Sequence, residues 1–315
     1  MDYGDIIAKS FRLTWRYKYL WALGLLAGFG GGNGFSYQGG FGFPNGQSGN
    51  GPGEAGMRQA IDWLQTHLAL IFALLILVFL LGIVFFLIAS WAAAALVSEV
   101  SDIESGEERP KRGFLSAWSK GRPAFGRVVG LRLLVGLIVL GYIAIAAIPM
   151  VLLGFLIAAQ SPVVVVVGIL VGVLLAVIVI AAIPFFIVLT ITQQYALRYI
   201  VLRQKRVTDS LKQGFKLLRE NLGPTLLLWL LTVGLGIAAA LAILVATLLI
   251  AIPVALLVFI MFQIGPVTGV TTVALAVLVL IPLFLTAVGA MGAYFSTYWT
   301  LVFSQLNPLA ESLEI

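Results

Sequence analysis

Few residues in this sequence have the chemistry of a catalytic or metal site. It contains one histidine, His67, and no cysteine, which removes thiolate nucleophiles, disulfides and Cys-ligated metals. His67 has no second ligand at metal-binding spacing, so solvation at a membrane interface is favoured over metal ligation. General acid–base catalysis would need paired Asp, Glu or His side chains, and the long apolar runs contain no such pair. We therefore expect no enzyme, no bound metal and no cofactor.

Glycine is concentrated between Gly28 and Gly56, where 13 glycines occur. This stretch superficially resembles a phosphate-binding loop. Such a loop needs a preceding buried strand, a following Lys with Ser or Thr, and a helix N-terminus, and none of them is present. Because the stretch has too few apolar groups to offset the entropy of ordering, it is predicted to be a flexible loop outside the cytoplasm.

Two polar groups of residues lie near the ends of apolar runs, TITQQY at 190–195 and YFSTYWT at 294–300. Both runs are predicted to end on the same side of the membrane, which favours a polar cleft between them. Its predicted lining is Gln193, Gln194, Tyr195, Tyr294, Thr297 and Tyr298. The alternative is that these side chains belong to the belt of Tyr and polar residues found at membrane interfaces.

A basic amphipathic segment precedes an apolar run at residues 207–229. Its apolar side chains recur at i, i+4, i+7 and i+11 and share one predicted helix face: Leu211, Phe215, Leu218 and Leu222. Weaker copies occur at 5–23 and 114–134. The basic residues predicted to contact anionic lipid head groups or a protein partner are Lys212, Lys216, Arg219, Arg12, Arg16, Lys120 and Arg122. Anchoring of the topology alone is the alternative, and nucleic acid is disfavoured because the charges are spread over three segments.

The composition of the chain indicates that these segments belong to a membrane protein. The sequence is 61% hydrophobic and 10% charged, whereas soluble domains are typically about 25% charged. No stretch outside the apolar runs is long enough to bury a core of its own. The chain is therefore predicted to be one polytopic membrane domain over residues 1–315.

Positive charge is confined to three clusters, at 9–18, 109–132 and 198–219, with Arg58 the one exception among 19 Lys and Arg residues. Short cytoplasmic loops retain Lys and Arg, so all three clusters and both termini are predicted to be cytoplasmic, in a plasma membrane. The predicted crossings are 19–29, 68–98, 128–159, 163–195, 225–262 and 270–303. The first is short and also fits a cleaved leader.

Prolines repeat along the chain. The sequence around Pro149 resembles that around Pro253, 104 residues later, and the sequence around Pro184 resembles that around Pro282, 98 residues later. We expect an all-α membrane bundle of six helices in three repeats, at about 1–98, 110–200 and 207–306. Each repeat would comprise a basic interfacial helix and a helical hairpin.

The basic segments KSFRLTWRYKYLWALG and LKQGFKLLRENLGPTLLL share a Phe-x-x-x-(aromatic or Leu) face that enters a crossing. This pattern resembles prokaryotic membrane proteins related to the membrane domain joined to some glycerophosphodiester phosphodiesterases. The likeness covers most of the chain and implies a six-helix bundle with no established activity. The His and acidic ligands of the phosphodiesterase domain have no counterpart here.

Function is therefore predicted by class. An integral membrane scaffold or accessory component of a membrane or envelope system is favoured, with a protein partner or a second copy as its associate. A transporter or channel for a lipid or small molecule is the alternative, supported by the repeats and prolines. It is weakened because ionisable residues inside a membrane usually mark transport, and no Asp, Glu, Lys, Arg or His occurs at 133–197 or 222–310.

Overall fold

The computed structural model describes residues 3–29, 63, 66–106, 113–158 and 164–307. These residues form nine helices and, within the same ranges, no strand. The helices are α1 Tyr3–Arg16, α2 Tyr19–Gly28, α3 Leu68–Glu104, α4 Phe114–Ser119, α5 Phe125–Ala158, α6 Val164–Arg203, α7 Val207–Glu220, α8 Leu222–Ile264 and α9 Pro266–Leu306. The all-α prediction is confirmed, and the glycine-rich loop lies beyond Phe29, outside the described residues.

Five helices are long and apolar enough to cross a membrane: α3, α5, α6, α8 and α9. They contain 34 to 43 residues, or roughly 50 to 65 Å of helix. The predicted crossing at 19–29 forms only the 10-residue α2, about 15 Å long, against a hydrocarbon thickness of about 30 Å. Glycine is the poorest helix former after proline, and a run of glycines follows α2 in the sequence.

The long helices divide into two parts with different packing. We call residues 68–87, 137–158, 164–184 and 237–287 the splayed half, because nearly every side chain there whose burial is described is at least partly exposed. We call residues 3–29, 88–106, 113–136, 185–236 and 288–307 the packed half, which contains nearly all of the buried side chains. The most apolar window of each long helix is between 0% and 11% buried. The hydrophobic windows therefore contribute little to the protein core.

Charge distinguishes the two halves in the same way. Every Asp, Glu, Lys and Arg that the structure describes lies in the packed half, and the splayed half contains none. The splayed segments are about 20 to 28 residues long, roughly 30 to 42 Å of helix, and so suffice to span the hydrocarbon layer. A charged side chain at the centre of a bilayer costs about 2.5 to 3.5 kcal/mol or more. The splayed half therefore fits the hydrocarbon, and the packed half fits the interface and the water beyond.

Three short helices pack against the packed ends of three long ones. Ile6 of α1 is buried in a cluster with Tyr298 and Val302 of α9. Ala117 of α4 is buried beside Leu96 of α3. The corresponding pair on the remaining side of the packed half is α7 and α6.

Helix α7 follows α6 after a turn at Gln204, whose φ of 53° is uncommon for a residue other than glycine. A Cβ added at Gly214 would lie 2.8 Å from the carbonyl oxygen of Thr192 on α6. Glycine is thus what permits the two backbones to approach.

The buried face of α7 differs from the predicted one. It consists of Ser210, Gly214, Leu217 and Leu218. Phe215 and Leu222 from the predicted face are exposed. The two faces overlap, because Leu218 of the predicted face is buried and Leu211 packs partly against the core. The close approach to α6 at Gly214 requires a small residue that the spacing of large apolar side chains does not identify. In α1 the buried residues Ile6, Ser10 and Thr14 follow the same four-residue spacing.

Helix α2 crosses α9 at a point formed by glycines. A Cβ added at Gly24 would clash with the backbone of Gly289 and Ala293. At Gly292 it would lie 2.7 Å from the carbonyl oxygen of Gly24. Small residues at helix crossings allow this close approach. The first part of the chain is thereby joined to the last.

We predict that Gly24→Ala lowers the free energy of unfolding by about 1 to 3 kcal/mol, because the new methyl group must push α2 away from α9. Unfolding in detergent micelles, followed by circular dichroism during denaturant titration, measures the change. Gly28→Ala is the matched control on the same helix, since nothing lies within 4 Å of its added Cβ. Equal losses in the two variants would contradict the glycine crossing.

Candidate functional site: the polar centre of the packed half

The predicted polar cleft residues meet where α6, α8 and α9 pack together. Gln194, Tyr195, Thr297 and Tyr298 are buried, while Gln193 and Tyr294 remain partly exposed. Helix α8, which the predicted lining omitted, lies against this group. Its polar atoms pair with the hydroxyls of Tyr195 and Tyr298.

Two tyrosines connect the three helices. The hydroxyl groups of Tyr195 and Thr225 are 3.1 Å apart, which joins α6 to α8. Tyr298 donates a 3.2 Å hydrogen bond to the carbonyl oxygen of Leu228, which joins α9 to α8. The Tyr195 ring meets Trp299 edge to face, with centroids 5.8 Å apart. These contacts fill much of the space in which a cleft was predicted.

A cavity of about 90 Å³ remains beside this cluster, and its lining includes Thr190, Gln194, Thr232 and Trp299. The volume is enough for a few water molecules. The indole nitrogen of Trp299 is buried without a hydrogen-bond partner in the structure. A water in this cavity is therefore well placed to satisfy it.

Arg198 lies at the centre of the cluster with no exposed surface. Its guanidinium donates to the backbone carbonyl of Gln194 at 2.8 Å and to the side-chain carbonyl of the same residue. A third bond of 3.2 Å reaches the carbonyl oxygen of Ser296 on α9. Among the described residues no carboxylate forms an ion pair with it. The positive charge is therefore balanced by carbonyl dipoles that join α6 to α9.

The sequence placed Arg198 only within the basic cluster at 198–219. The signal that identifies its role is the spacing to Gln194, since residues four apart share a helix face. That position on the polar side of α6 was visible in the sequence. The burial of the guanidinium depends on α9, however, and was not visible.

A second guanidinium is buried between α5 and α3. Arg132 donates a 3.3 Å bond to the hydroxyl of Ser90, and Arg132 is almost fully buried. Arginine presents five donors in a fixed fork, so it can bond to neighbouring helices where lysine would reach fewer groups. Arg132 and Arg198 thus both hold long helices together within the packed half.

An ion-pair network occupies the opposite side of the packed half. Lys120 contacts the carboxylates of Glu99 and Asp102. Tyr19 of α2 donates a 2.8 Å hydrogen bond to Glu99. Because Glu99 is only 1% exposed, these partners replace the water that would otherwise solvate it. The network joins α2, α3 and the turn after α4.

A related contact lies at the ends of three helices. Lys9 of α1 and Glu104 of α3 form an ion pair of 3.4 Å. Ser304 of α9 donates a 3.0 Å hydrogen bond to the same carboxylate oxygen. Helices from the beginning, middle and end of the chain are thereby joined at one acidic side chain.

Most of the basic residues predicted to contact lipid or a partner are exposed. They are Arg12, Arg16, Arg122, Lys212, Lys216 and Arg219. Lys120 differs, because its side chain is 12% exposed and engaged by two carboxylates. Its place in the basic segment did not reveal these partners, which lie 18 and 21 residues earlier on α3.

Two adjoining apolar grooves run along the outside of α8 and α9. One, of about 580 Å³, is bordered by α1 and by Tyr294. The other, of about 590 Å³, continues past Trp15 and Trp21. Both grooves are lined by Trp15, Ile243, Ala287 and Ala290. Tyr294 thus faces the lipid-exposed surface as well as the polar cluster.

The arrangement of these groups is suited to structure and recognition. Within the described residues no three His, Cys, Asp or Glu side chains come together as a metal site. Each buried arginine directs part of its guanidinium to carbonyl or hydroxyl oxygens, and the buried glutamate is held by a lysine and a tyrosine. Such contacts fix helices relative to one another.

Comparison with known proteins gives one match. A sequence model of a family of unknown function (DUF7544) matches residues 8–313. No curated protein and no solved structure matches the chain. The matched range includes the polar cluster, the ion-pair network and both grooves.

We predict that Lys120→Met lowers the free energy of unfolding by about 3 to 5 kcal/mol, because it removes the lysine that pairs with the buried carboxylate of Glu99. Denaturant titration of the purified protein in micelles measures the loss. Lys216→Met is the matched control, since its ion pair with Glu220 is exposed and such pairs contribute about 0 to 1 kcal/mol. A loss at Lys120 no greater than at Lys216 would show that the network does not stabilise the fold.

Proposed function

The chain belongs to the DUF7544 family of unknown function, and we propose that it serves as an integral membrane scaffold or accessory protein. Its packed half is a platform on one side of the membrane. Its splayed half presents apolar helix faces to partner helices or to a second copy. We further propose that it assists a membrane or envelope system.

One observation carries the proposal. The most apolar windows of the five long helices are at most 11% buried inside the chain, so these hairpins leave their faces open within the hydrocarbon. Tyr142 and Phe185 stack between α5 and α6, with ring centroids 5.0 Å apart, which keeps that hairpin together. Faces that are held in place but not covered by this chain are available for lateral contact.

The contacts of the packed half support a three-unit organisation. In each of two places a long helix is followed by a short helix packed on it and then by the next long helix: α3, α4 and α5, and α6, α7 and α8. The third set is α9, α1 and α2. Helix α9 is far from α1 and α2 in sequence, but the three helices pack together. In the predicted repeats each short helix instead leads into the hairpin that follows it, and α2 occupies the position of the predicted first crossing. The observed arrangement gives a scaffold three similar sides.

An enzymatic role is not part of the proposal, because no acid–base or metal constellation was found among the described residues. A route for polar solutes is also disfavoured. Pores for ions and polar molecules are lined by carbonyl, polar or charged groups, and the splayed half has no charged side chain. Nucleic acid is not among the proposed partners.

Lipid transport is the second candidate, and the apolar grooves beside α8 and α9 favour it. A protein that moves lipids needs an apolar surface for the chains and a polar route for the head group. The splayed half offers the first. Thr247 and Thr286 are polar residues that line the groove, and Thr286 donates its hydroxyl to a carbonyl of its own helix.

Site-specific photo-crosslinking tests the scaffold proposal. A photoreactive residue is placed singly at Phe79, Leu140 or Phe259, which are exposed in the splayed half. Leu115 is the control, because it is exposed on α4 in the packed half. We expect a discrete protein adduct in native membranes from at least one of the three splayed positions. Adducts with lipid alone at all three would contradict a lateral scaffold role.

A lipid-scrambling assay separates the two candidates. Purified protein in vesicles containing a fluorescent phospholipid is treated with an impermeant reductant that bleaches only the outer leaflet. The scaffold proposal predicts bleaching equal to that of protein-free vesicles. Complete bleaching would favour lipid transport instead.

The orientation is predicted separately, with the packed half and both termini in the cytoplasm. The natural sequence has no cysteine, so a maleimide labels the single cysteine that is introduced and no other thiol of the chain. Gln263→Cys, before the turn from α8 to α9, should be labelled by an impermeant maleimide in sealed cells. Thr208→Cys, exposed on α7, should be labelled only after the membrane is opened. The reverse pattern would invert the topology.

A further inference from the structure

We infer that the groove along α1, α8 and α9 is a specific site for one anionic phospholipid. One acyl chain lies in the groove, and the phosphate is bound by Arg12 and Arg16. This inference goes beyond the scaffold role, since a scaffold needs no bound lipid and either can hold without the other.

Small residues on two neighbouring helices create the groove. On α8 its floor contains Ala239, Ala242 and Ala246, and on α9 it contains Ala287 and Ala290. An alanine side chain cannot fill the space between two helices, so a channel remains along their junction. The channel is apolar throughout most of its length, which suits a hydrocarbon chain.

The length of the groove also suits an acyl chain. On α9 the lining extends from Leu280 to Phe295, and 15 residues of helix correspond to about 22 Å. One leaflet contributes half of the hydrocarbon layer, about 15 Å. The groove is therefore long enough for one chain from the interface to the bilayer centre.

Aromatic residues lie where α1 borders the groove, which we call its mouth, and Trp15 lines both parts of the groove. Phe11 and Trp15 stack with ring centroids 5.7 Å apart, and Trp15 meets Trp21 at 5.4 Å. Phe11 and Trp15 are more than half exposed, although large apolar side chains gain by burial. Aromatic rings are enriched where chains meet head groups, so this cluster places the interface at the mouth of the groove.

Two arginines supply the charge at that mouth. Helix α1 lines the groove with Ala8, Phe11 and Trp15. On a helix Arg12 lies one turn from Ala8, and Arg16 lies one turn from Arg12, so both flank the lining face. Both are exposed, and within the described residues neither forms an ion pair with a carboxylate. Arginine binds phosphate through a planar fork of N–H donors.

The other exposed basic residues do not share this setting. Lys212, Lys216 and Arg219 lie on α7, which contributes no residue to the lining of either groove. Charge alone attracts anionic lipids to both helices. Charge beside an apolar groove selects one lipid and holds its chain, and of these two helices α1 has both features.

Native mass spectrometry of the delipidated full chain tests the inference. Phosphatidylglycerol or phosphatidylcholine with identical acyl chains is added at equal concentration, and bound lipids are counted. We expect one retained phosphatidylglycerol, at least tenfold favoured over phosphatidylcholine. Arg12→Gln with Arg16→Gln should remove that preference but leave weak binding of both lipids. Ala239→Leu with Ala242→Leu, which fills the groove, should abolish retention of either.

Two controls make the result specific. Lys212→Gln with Lys216→Gln removes the same charge from α7, and Ala255→Leu adds bulk at an exposed position of α8 outside the groove. Both should retain phosphatidylglycerol as the natural protein does. Equal loss in the α1 and α7 variants, or retention in the filled groove, would show general surface attraction and overturn the site. Circular dichroism confirms that each variant is folded.

The outcome is independent of the scaffold test. Loss of the lipid preference without loss of protein adducts would overturn the lipid site alone. Retention of the lipid without any protein adduct would overturn the scaffold proposal alone.

Discussion

The cost of placing charge in hydrocarbon governs this structure. Five helices of 34 to 43 residues are much longer than a bilayer requires, and their surplus length lies at the end where every described charged side chain is found. Within hydrocarbon, apolar side chains gain little by packing on one another, because lipid tails are equally apolar. Outside it, water drives the same side chains together. The protein is therefore packed at one end and open at the other.

The packed half is stabilised by polar contacts between helices distant in sequence. Arg198 joins α6 to α9, and Arg132 joins α5 to α3. Glu99 joins α3 to α2 and to Lys120. Each contact satisfies a group that would be costly to bury alone. Their distribution around the packed half links helices from the beginning, middle and end of the chain.

This division of labour supports the proposed roles. The fixed packed half holds the hairpins at defined positions, while the open half leaves their apolar faces to other molecules in the membrane. The boundary between the halves is where Phe11, Trp15 and the arginines of α1 lie beside the groove. A lipid bound there would occupy the junction between the interface and the hydrocarbon.

Much of the fold was predictable from the sequence because its signals are local. Long uncharged runs predicted the five long helices, whose described bounds contain the predicted crossings at 68–98 and 225–262. The amphipathic segment at 207–229 correctly predicted that a separate helix, α7, precedes α8. The prediction for the first crossing was weaker, because a short apolar segment of about 11 residues fits a crossing or a cleaved leader. Only the structure shows a 10-residue helix packed against α9.

The sequence by itself determined the class of protein, the positions of the long helices and the ends of those helices that carry charge. These depend on hydropathy and charge, which act on each segment independently of the others. The tertiary structure decided that Lys120 is engaged by buried carboxylates and that Arg198 is buried among carbonyls. It also decided that Gly24 meets Gly289 and that α1 borders a groove. These depend on contacts between distant parts of the chain: Lys120 lies 18 residues from Asp102, Arg198 lies 98 from Ser296, and Gly24 lies 265 from Gly289. No local pattern specifies which distant helix will supply the partner.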